Sequence, residues 1–184
     1  SVNINMDFLT RDYLTHSRRK GPVPLGSYSA KANRYVLDQS SSEILSALSI
    51  NARCPATHIA DSLEPSPDPV LDRIRELEKH KVIICYSYVL NNDVLNQVNY
   101  YVLIYLNNVS KKRENAFVQF CHVEKHVLYL IKSPSHWDYE ISVEAPRVDT
   151  YRDLMQRMNY EFSDIVQRSQ GMMVRRIHKY LSLL

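Results

Sequence analysis

An α+β fold with two domains is predicted for this chain of 184 residues. Apolar residues recur at the helical spacing of three and four over residues 37–81, whereas strand-like and helix-like stretches alternate over residues 97–184. The composition, 45% hydrophobic and 23% charged, is typical of a globular protein. The length suffices for two small domains that each bury a core.

Residues 1–36 are predicted to be a basic linker or extension. They carry six bases and two acids, a net charge of +4, and three of the bases are adjacent at Arg18–Lys20. Such a run is typical of a nucleic-acid arm, but a solvated linker has the same composition. The prediction of a linker comes from turn-forming residues, which are Gly21, Pro22, Pro24 and Gly26.

Residues 37–90 are predicted to form a winged helix-turn-helix domain with three helices. Ser66 and Pro67 are suited to open the third helix, because serine caps helices and proline is tolerated in the first turn. Residues 83–90 are rich in β-branched and aromatic side chains and predict a strand that leaves the domain. The expected inner faces are Ile44, Leu45 and Leu48 in the first helix, Ile59, Ala60 and Leu63 in the second, and Val70, Leu71, Ile74 and Leu77 in the third.

The third of these helices is electrically balanced. Residues 68–81 hold four acids and four bases, and residues 37–98 as a whole hold nine acids and five bases, a net charge of −4. Attraction to phosphates normally supplies most of the affinity for DNA, so a helix without net positive charge is a poor DNA reader on its own. The charged residues are Asp68, Asp72, Glu76 and Glu78 against Arg73, Arg75, Lys79 and Lys81.

Residues 97–184 predict strands and helices in the order βαββαβ, which is that of a ferredoxin-like domain. In such a domain both helices cover one face of an antiparallel sheet. The other face would be half apolar, which predicts that a partner covers it. Strands are expected at residues 100–108, 127–132, 137–144 and 171–180, and helices at 111–121 and 151–158.

Several other classes of protein are disfavoured. Cys54, Cys85 and Cys121 are widely spaced, so neither a disulfide framework nor a metal site is expected, and reduced thiols fit a cytoplasmic protein. No apolar run reaches the roughly 18–20 residues of a membrane helix. The sequence has no Gly-rich phosphate loop and no nucleophile elbow, so no catalytic residues and no cofactor are predicted.

Three stretches of the chain resemble the Lrp/AsnC family of transcriptional regulators. They are "LDQSSSEILSALSINARCPATHIADSL" (37–63), "SPDPVLDRIRELEKHKVI" (66–83) and "WDYEISVE" (137–144). The resemblance implies a DNA-binding regulator, with a winged helix-turn-helix over residues 37–90 and a ligand-sensing domain of the type called RAM over residues 97–184. The phrase "FLTRDYL" (8–14) is similar to the junction in tandem archaeal members. That similarity implies that the chain is the second half of such a protein.

The resemblance also implies which residues contact DNA. In the family the third helix enters the major groove of double-stranded DNA, and a dimer reads two half-sites. The implied contacts are Thr57, His58, Ser66, Asp68, Pro69, Asp72, Arg73, Arg75 and Lys79.

This chain departs from the family at several of these positions. Asp68, Pro69 and Asp72 stand where polar or basic residues are usual, while Glu64 and Lys81 stand where glycines are common. An aspartate can still accept a hydrogen bond from cytosine, but it does not attract phosphates. DNA binding is therefore expected to be weak, or assisted by another segment such as residues 18–20.

A loop between the second and third RAM strands lies beside the small-molecule pocket in relatives. Its counterpart is residues 132–138, in which Ser135 stands near the expected glycine. Losing that glycine narrows the space for a close backbone approach. An amino-acid effector needs an acid for its amine, and Asp138 is suited to that role. The implied effector site is Ser133, Ser135, His136 and Asp138, and the implied assembly is a homodimer or higher homo-oligomer through the C-terminal sheet.

Two alternatives stay open at the level of sequence. In the first, the chain is an assembly or interaction module that has kept the fold and lost DNA recognition, which the net charge of residues 37–98 favours. In the second, it is an enzyme similar to the siroheme decarboxylases, which share this architecture. Such an enzyme would use His122, His126 and His136 near the tetrapyrrole and Arg175 and Arg176 for its propionates, although the histidine spacing matches no metal motif.

Overall fold

The protein divides into two compact units in a computed structural model. The structure describes residues 5–9, 26–29, 35–63, 67–86, 90–133 and 135–175. Residues 35–86 belong to a helical unit, and the remaining described residues belong to a unit built on a β-sheet. No helix in the described part of the chain is long and apolar enough to cross a membrane.

The helical unit contains three helices at the predicted positions: α1 (Gln39–Ile50), α2 (Ala56–Leu63) and α3 (Pro67–Lys79). The Asp38 side chain caps α1 by accepting a hydrogen bond from the Ser41 amide at 2.8 Å. The helices bury an apolar core between them, because each has one apolar stripe. That core consists of Ile44, Leu48, Ile59, Ala60, Val70 and Leu77.

Two predictions for this unit are corrected by the structure. Leu71 was expected on the inner face of α3 but is 40% exposed, because it lies next to Val70 and a helix turns by about 100° per residue. A strand was expected over residues 83–90, but residues 83–86 and Leu90 are not in a strand. Residues 87–89 and the turn residues 64–66, which include Ser66, lie outside the described residues.

The end of α3 explains how the chain manages without a glycine there. Lys81 has a φ of 60°, in the left-handed region that glycine normally occupies after a helix. The Val82 amide donates back to the Leu77 carbonyl at 2.9 Å, and Val82 and Ile83 pack against the core. Packing of the following apolar residues therefore holds Lys81 in a conformation that costs roughly 1–2 kcal/mol for a residue with a Cβ.

The sheet unit contains the predicted βαββαβ order, preceded by two further strands. Its elements are β1 (Asn5–Phe8), β2 (Gly26–Ser29), β3 (Val98–Leu106), α4 (Lys111–Val123), β4 (Val127–Lys132), β5 (Tyr139–Ala145), α5 (Val148–Glu161) and β6 (Val166–Val174). The predicted part of the antiparallel sheet has the strand order β4-β5-β3-β6, which is the ferredoxin-like arrangement.

The last strand begins earlier than predicted. It covers Val166–Val174 instead of residues 171–180, of which 176–180 lie outside the described residues. Phe162 and Ile165 are buried directly after α5, so the chain turns at once into the strand. The polar character of residues 166–170 hides this start, because β6 is an edge strand with mostly exposed side chains.

Helices α4 and α5 cover one face of the sheet and enclose the main core. The Phe117 ring is fully buried and meets the rings of Tyr139 and Phe162 at centroid distances of 5.3 and 5.5 Å. The ends of the two helices are tied together by Arg113, whose guanidinium donates to both carboxylate oxygens of Asp164. Such bidentate pairing fixes geometry as well as charge.

Strands β1 and β2 extend the sheet beyond β4, giving six strands in the order β2-β1-β4-β5-β3-β6. Strand β1 pairs antiparallel with β4, and the buried Leu9 donates its amide to the Leu128 carbonyl at 2.7 Å. Residues assigned to a linker or extension thus include two strands, which sequence periodicity missed because each is four residues long. The basic run 18–20 lies outside the described residues.

The face of the sheet opposite the helices carries a row of apolar and aromatic side chains. Val102 and Ile104 are buried against the helices, so Tyr101, Leu103 and Tyr105 point to the other face. Across the strands, Tyr101 pairs with Met172 on β6, and its ring lies 5.9 Å from that of Tyr129 on β4. This half-apolar surface, defined here as the open face, matches the surface expected from the sequence.

Candidate functional site

Both arginines of α3 are bound by neighbouring acids. Arg73 lies between two carboxylates, with 3.1 Å from Nη2 to Asp38 Oδ2 and 3.2 Å from Nη1 to Glu76 Oε2. Arg75 Nη1 lies 2.8 Å from Asp72 Oδ1. Arg73 and Arg75 are therefore held in ion pairs by Glu76 and Asp72 on α3 itself and by Asp38 at the start of α1.

Arg73 has a positioning role in addition to its charge. Hydrogen bonds from Ser41 hold the pKa of Asp38 below its usual value, and the positive charge of the nearby Arg73 adds to this effect. The negative charge of Asp38 in turn raises the pKa of Arg73. Since Asp38 caps α1, the pair joins the start of α1 to the side of α3. The guanidinium is half-buried in this arrangement, unlike the exposed Arg75.

The other predicted DNA contacts lie on the surface. Asp68 and Asp72 are exposed one turn apart on α3, and Lys79 is exposed at its end. Thr57 and His58 are exposed in the first turn of α2, and Pro69 is exposed between the acids. Ser66 lies outside the described residues. The described candidates other than Arg73 are thus accessible to a partner.

Tyr86 is a contact of this unit that sequence reasoning missed. Its hydroxyl donates to Glu78 Oε1 at 2.8 Å, which fastens the chain after α3 back onto the helix. Burial and the Glu78 carboxylate raise the pKa of Tyr86 to about 12. Side chains that meet on a helix surface are three or four residues apart. Glu78 and Tyr86 are eight residues apart and lie on either side of the end of α3, so the sequence alone did not indicate this pair.

The predicted effector loop is held by Asp138. One carboxylate oxygen of Asp138 accepts from the Leu106 amide at 2.7 Å. The backbone amide of Asp138 donates to the Ile104 carbonyl, and its carbonyl accepts from the Ser133 amide, both at 3.0 Å. Ser135 and His136 are exposed on the same loop, and Ser133 is half-buried. Asp138 therefore joins the loop to β3, and the other three predicted residues lie within five positions of it in the chain.

A polar cleft of about 200 Å³ lies between α4, β4 and the added strand β1, and sequence reasoning did not indicate it. Its central group is Glu114, which accepts hydrogen bonds from Tyr139 at 2.9 Å, from Lys111 at 3.1 Å, and from Lys132. Burial opposes ionisation of Glu114, but these three donors prevail and lower its pKa to about 2. Burial and, after it, the Glu114 carboxylate raise the pKa of Tyr139. The hydroxyl thus stays a donor.

Acid should therefore weaken the sheet unit through Glu114. Because its folded pKa lies below the ordinary value of about 4.5, the ionised carboxylate stabilises the fold above that pH, and this contribution is lost as the pH falls towards about 2. We expect Glu114→Gln to remove on the order of 2 kcal/mol from the free energy of unfolding at neutral pH and little near pH 2. Urea unfolding across this pH range measures it.

The matched control for Glu114→Gln is Glu161→Gln, because the Glu161 side chain is exposed at the end of α5. It should leave the acid dependence of the native protein unchanged. Equal pH profiles for the native chain and Glu114→Gln would show that the lysine–glutamate network contributes nothing to folding.

Two histidines of the sheet unit are buried in contacts of the fold. His122 Nε2 lies 3.0 Å from Asp7 Oδ2 on β1, and His126 Nδ1 lies 2.8 Å from the Glu144 carbonyl. Burial lowers the pKa of His126. The exposed His136 lies on the loop before β5, and Arg175 is exposed after β6, while Arg176 lies outside the described residues. Across the described part of the chain, no three acid, cysteine or histidine side chains form a group that could hold a metal ion.

Comparisons with known proteins identify the fold first. A regulator of the AsnC family from Agrobacterium tumefaciens aligns over 80% of this chain and 96% of its own, with a TM-score of 0.68 and 20% identity. A transcriptional regulator from Neisseria meningitidis, solved with L-Met, aligns over 81% and 96%, with a TM-score of 0.69 and 19% identity. At these identities the likeness shows the fold alone. No family model matches the chain.

Sequence similarity decides the family. The chain is 31% identical over 120 residues to the transcriptional regulatory protein DoeX of Halomonas elongata, which is 65% of this chain and 76% of that protein. The chain belongs to the Lrp/AsnC family of transcriptional regulators. Another relative of this Lrp/AsnC regulator is the proline dehydrogenase transcriptional activator of Rhodobacter capsulatus, 29% identical over 126 residues, 65% of this chain and 79% of that protein.

The family also settles the question of an enzyme. The matched relatives of this Lrp/AsnC protein are transcriptional regulators, and the chain is one as well. The alternative of an enzyme similar to siroheme decarboxylases is set aside.

Proposed function

We propose that this Lrp/AsnC regulator binds double-stranded DNA weakly through its helical unit and assembles as a homodimer or higher homo-oligomer through its sheet unit. In this proposal residues 37–90 are a winged helix-turn-helix domain, residues 97–184 a RAM-like domain, and residues 1–36 a basic extension that assists on DNA. The observation that carries it is the engagement of both α3 arginines by acids, on a chain whose relatives regulate transcription.

The surface of α3 supports DNA contact of limited strength. An arginine held by a carboxylate must give up that ion pair, or share it, to bind a phosphate. Arg75 with Asp72 is an exposed pair of this kind, and Arg73 is additionally fixed by Asp38. Lys79 remains as an exposed cation at the end of the helix. Affinity should therefore be low and require help from other bases, for which the extension is the candidate.

The open face supports self-association. A row of tyrosine, leucine and methionine side chains on a sheet is the kind of surface that a partner covers. Two copies related by a two-fold axis would each bury the same row. This predicts that Tyr101→Glu shifts the native assembly towards monomer, because the carboxylate would be buried without a partner. Sedimentation velocity measures the shift.

The control for that experiment is Tyr160→Glu, the same substitution on the outer side of α5, where Tyr160 is 88% exposed. It should leave the assembly intact. A native chain that sediments as a monomer, or a Tyr101→Glu variant that assembles as well as the native chain, would contradict assembly through the open face.

An amino-acid effector bound at the loop formed by Ser133, Ser135, His136 and Asp138 completes the proposal. One structural neighbour was solved with L-Met, which supports this class of ligand.

A second candidate function, an assembly module without DNA recognition, is favoured by the same ion pairs on α3. The two candidates differ in whether the native protein shows any saturable binding to duplex DNA at about 50 mM salt.

A further inference from the structure

We infer that strand β6 pairs with β6 of a second copy of the chain, antiparallel about a two-fold axis at Gly171. The inference deepens the proposed self-association of the sheet unit, because it adds a second contact at the edge of the sheet, separate from the open face. It comes from a contrast between the two edges of the sheet.

The two edges are protected to different degrees. One ends in β2, which has four residues, and the other ends in β6, which has nine. Edge strands expose backbone groups that pair readily with another strand, and proteins guard them with short strands, lysine, proline or bulges. Strand β6 contains neither lysine nor proline, and its one irregularity lies at its start, so residues 168–174 keep a regular register with β3. Among the described residues, no strand pairs with the outer side of this segment.

The side chains of β6 leave its edge accessible. The charged residue of the strand is Arg168, whose guanidinium lies 4.1 Å from the centre of the Tyr105 ring on β3 and donates to Gln170 at 3.2 Å. The charge is therefore turned over the sheet instead of standing at the edge. Met172 and Met173 are 43% and 55% exposed near the end of the strand, so apolar surface is left there for a partner to cover.

The backbone groups that face away from the sheet can be identified from the ladder. On β3 the Ile104 carbonyl accepts from the Asp138 amide, which lies on the β5 side. Backbone groups alternate in direction along a strand, so those of the next residue, Leu103, face β6. Leu103 is paired with Gln170, which therefore faces β3, and the neighbours of Gln170 face outward. Within the regular segment, the residues with outward backbone groups are Ser169, Gly171 and Met173.

A two-fold axis at Gly171 satisfies all of these groups. A strand that meets its own copy across a two-fold axis perpendicular to the sheet runs antiparallel to it. Gly171 then stands opposite Gly171 of the other copy, and Ser169 opposite Met173, and each such pair exchanges two hydrogen bonds. The two Arg168 side chains lie at opposite ends of the paired segment, so like charges do not oppose each other.

The same contrast between edges limits the pairing to two copies. Because β2 offers no second edge of comparable length, the contact joins β6 to β6 and closes, instead of continuing as a filament. The axis is perpendicular to the sheet, so the open faces of both copies lie on the same side. Met172 is paired with Tyr101 on that face, and the apolar row therefore continues across the contact into the second copy.

Sedimentation velocity on the full chain, over a dilution series, tests the inference. The native chain should form a species larger than a dimer, and Tyr101→Glu, which removes the open-face contact, should stop at a dimer held by β6. Adding Met173→Pro should raise the dissociation constant of that dimer at least about tenfold, because each copy loses one outward amide. Met173→Ala in the same background keeps the amide and is the matched control, which should keep the dimer. Circular dichroism verifies that each variant is folded.

Disulfide cross-linking tests the register. Gln170 of one copy should stand opposite Met172 of the other, in a pair without hydrogen bonds whose Cβ atoms are about 4.5–5.5 Å apart. In the Tyr101→Glu background, chains with Gln170→Cys mixed with chains with Met172→Cys should therefore form a covalent dimer under oxidising conditions. Gln170→Cys mixed with Tyr160→Cys, on the outer side of α5, should not.

A Tyr101→Glu chain that is monomeric at every concentration overturns the inference, and so does a dimer that Met173→Pro leaves as tight as Met173→Ala does. If Met173→Pro does not fold, the cross-link decides, and its absence overturns the pairing of β6. Failure of the open-face contact gives a different result, since Tyr101→Glu would then assemble like the native chain while Met173→Pro alone would still dissociate.

Discussion

Replacing Asp72 by lysine is expected to strengthen binding to duplex DNA by at least about tenfold at about 50 mM salt. The substitution removes the acid that holds Arg75 at 2.8 Å, and it adds an ammonium group on the exposed side of α3. Two new phosphate contacts would steepen the salt dependence of log affinity by about 1.8, since each contributes about 0.9. Fluorescence anisotropy with labelled DNA at several salt concentrations measures both quantities.

A matched control separates local from global charge. Asp149 on α5 is also exposed and also paired with arginines, at 3.2 Å to Arg147 and 3.7 Å to Arg152. Asp149→Lys changes the net charge by the same amount, but in the sheet unit. We expect it to alter affinity far less. Equal gains from both variants would mean that total charge, and not the surface of α3, governs binding.

The second large effect concerns the helical unit itself. Leu77→Ala should destabilise that unit by about 2–5 kcal/mol, because Leu77 is fully buried in the core of the three helices and its loss leaves a cavity. Leu71→Ala removes the same atoms from the same helix at a position that is 40% exposed, and it should cost less than about 1 kcal/mol. Urea unfolding followed by circular dichroism compares them.

The functional consequence distinguishes the two units. If DNA binding resides in the helical unit, Leu77→Ala should lose it at temperatures where self-association through the sheet unit persists. Similar costs for Leu77→Ala and Leu71→Ala would show that α3 does not pack as described, and loss of assembly together with DNA binding would contradict separate roles.

The sequence predicted those parts of the fold that repeat a pattern over several turns or strands. Helices α1 to α3 and the βαββαβ order were found, because their apolar spacing is regular. The spacing wrongly placed Leu71 on the inner face of α3. Val70 and Leu71 are adjacent apolar residues at the edge of the apolar stripe, and spacing alone does not tell which of the two faces the core. Strands β1 and β2 were missed because four residues of extended chain show no period.

The candidate sites were less predictable for a related reason. The balance of charge on α3 was visible, but not that Arg73 would pair with Asp38, which precedes it by more than thirty residues and caps another helix. The cleft joins residues from β1, α4, β4 and β5, so no local motif indicates it. Contacts between elements distant in sequence depend on topology, which periodicity alone does not supply.

The salt dependence of DNA binding by the native chain and Arg75→Ala tests the central claim, that nearby acids hold the arginines of α3 in ion pairs and so keep them from phosphates. Anisotropy between about 50 and 200 mM salt should show weak binding for both proteins, with the same slope. A fall in native affinity of about a thousandfold over that range, with a slope that Arg75→Ala reduces by about 0.9, would show Arg75 on a phosphate and contradict the claim.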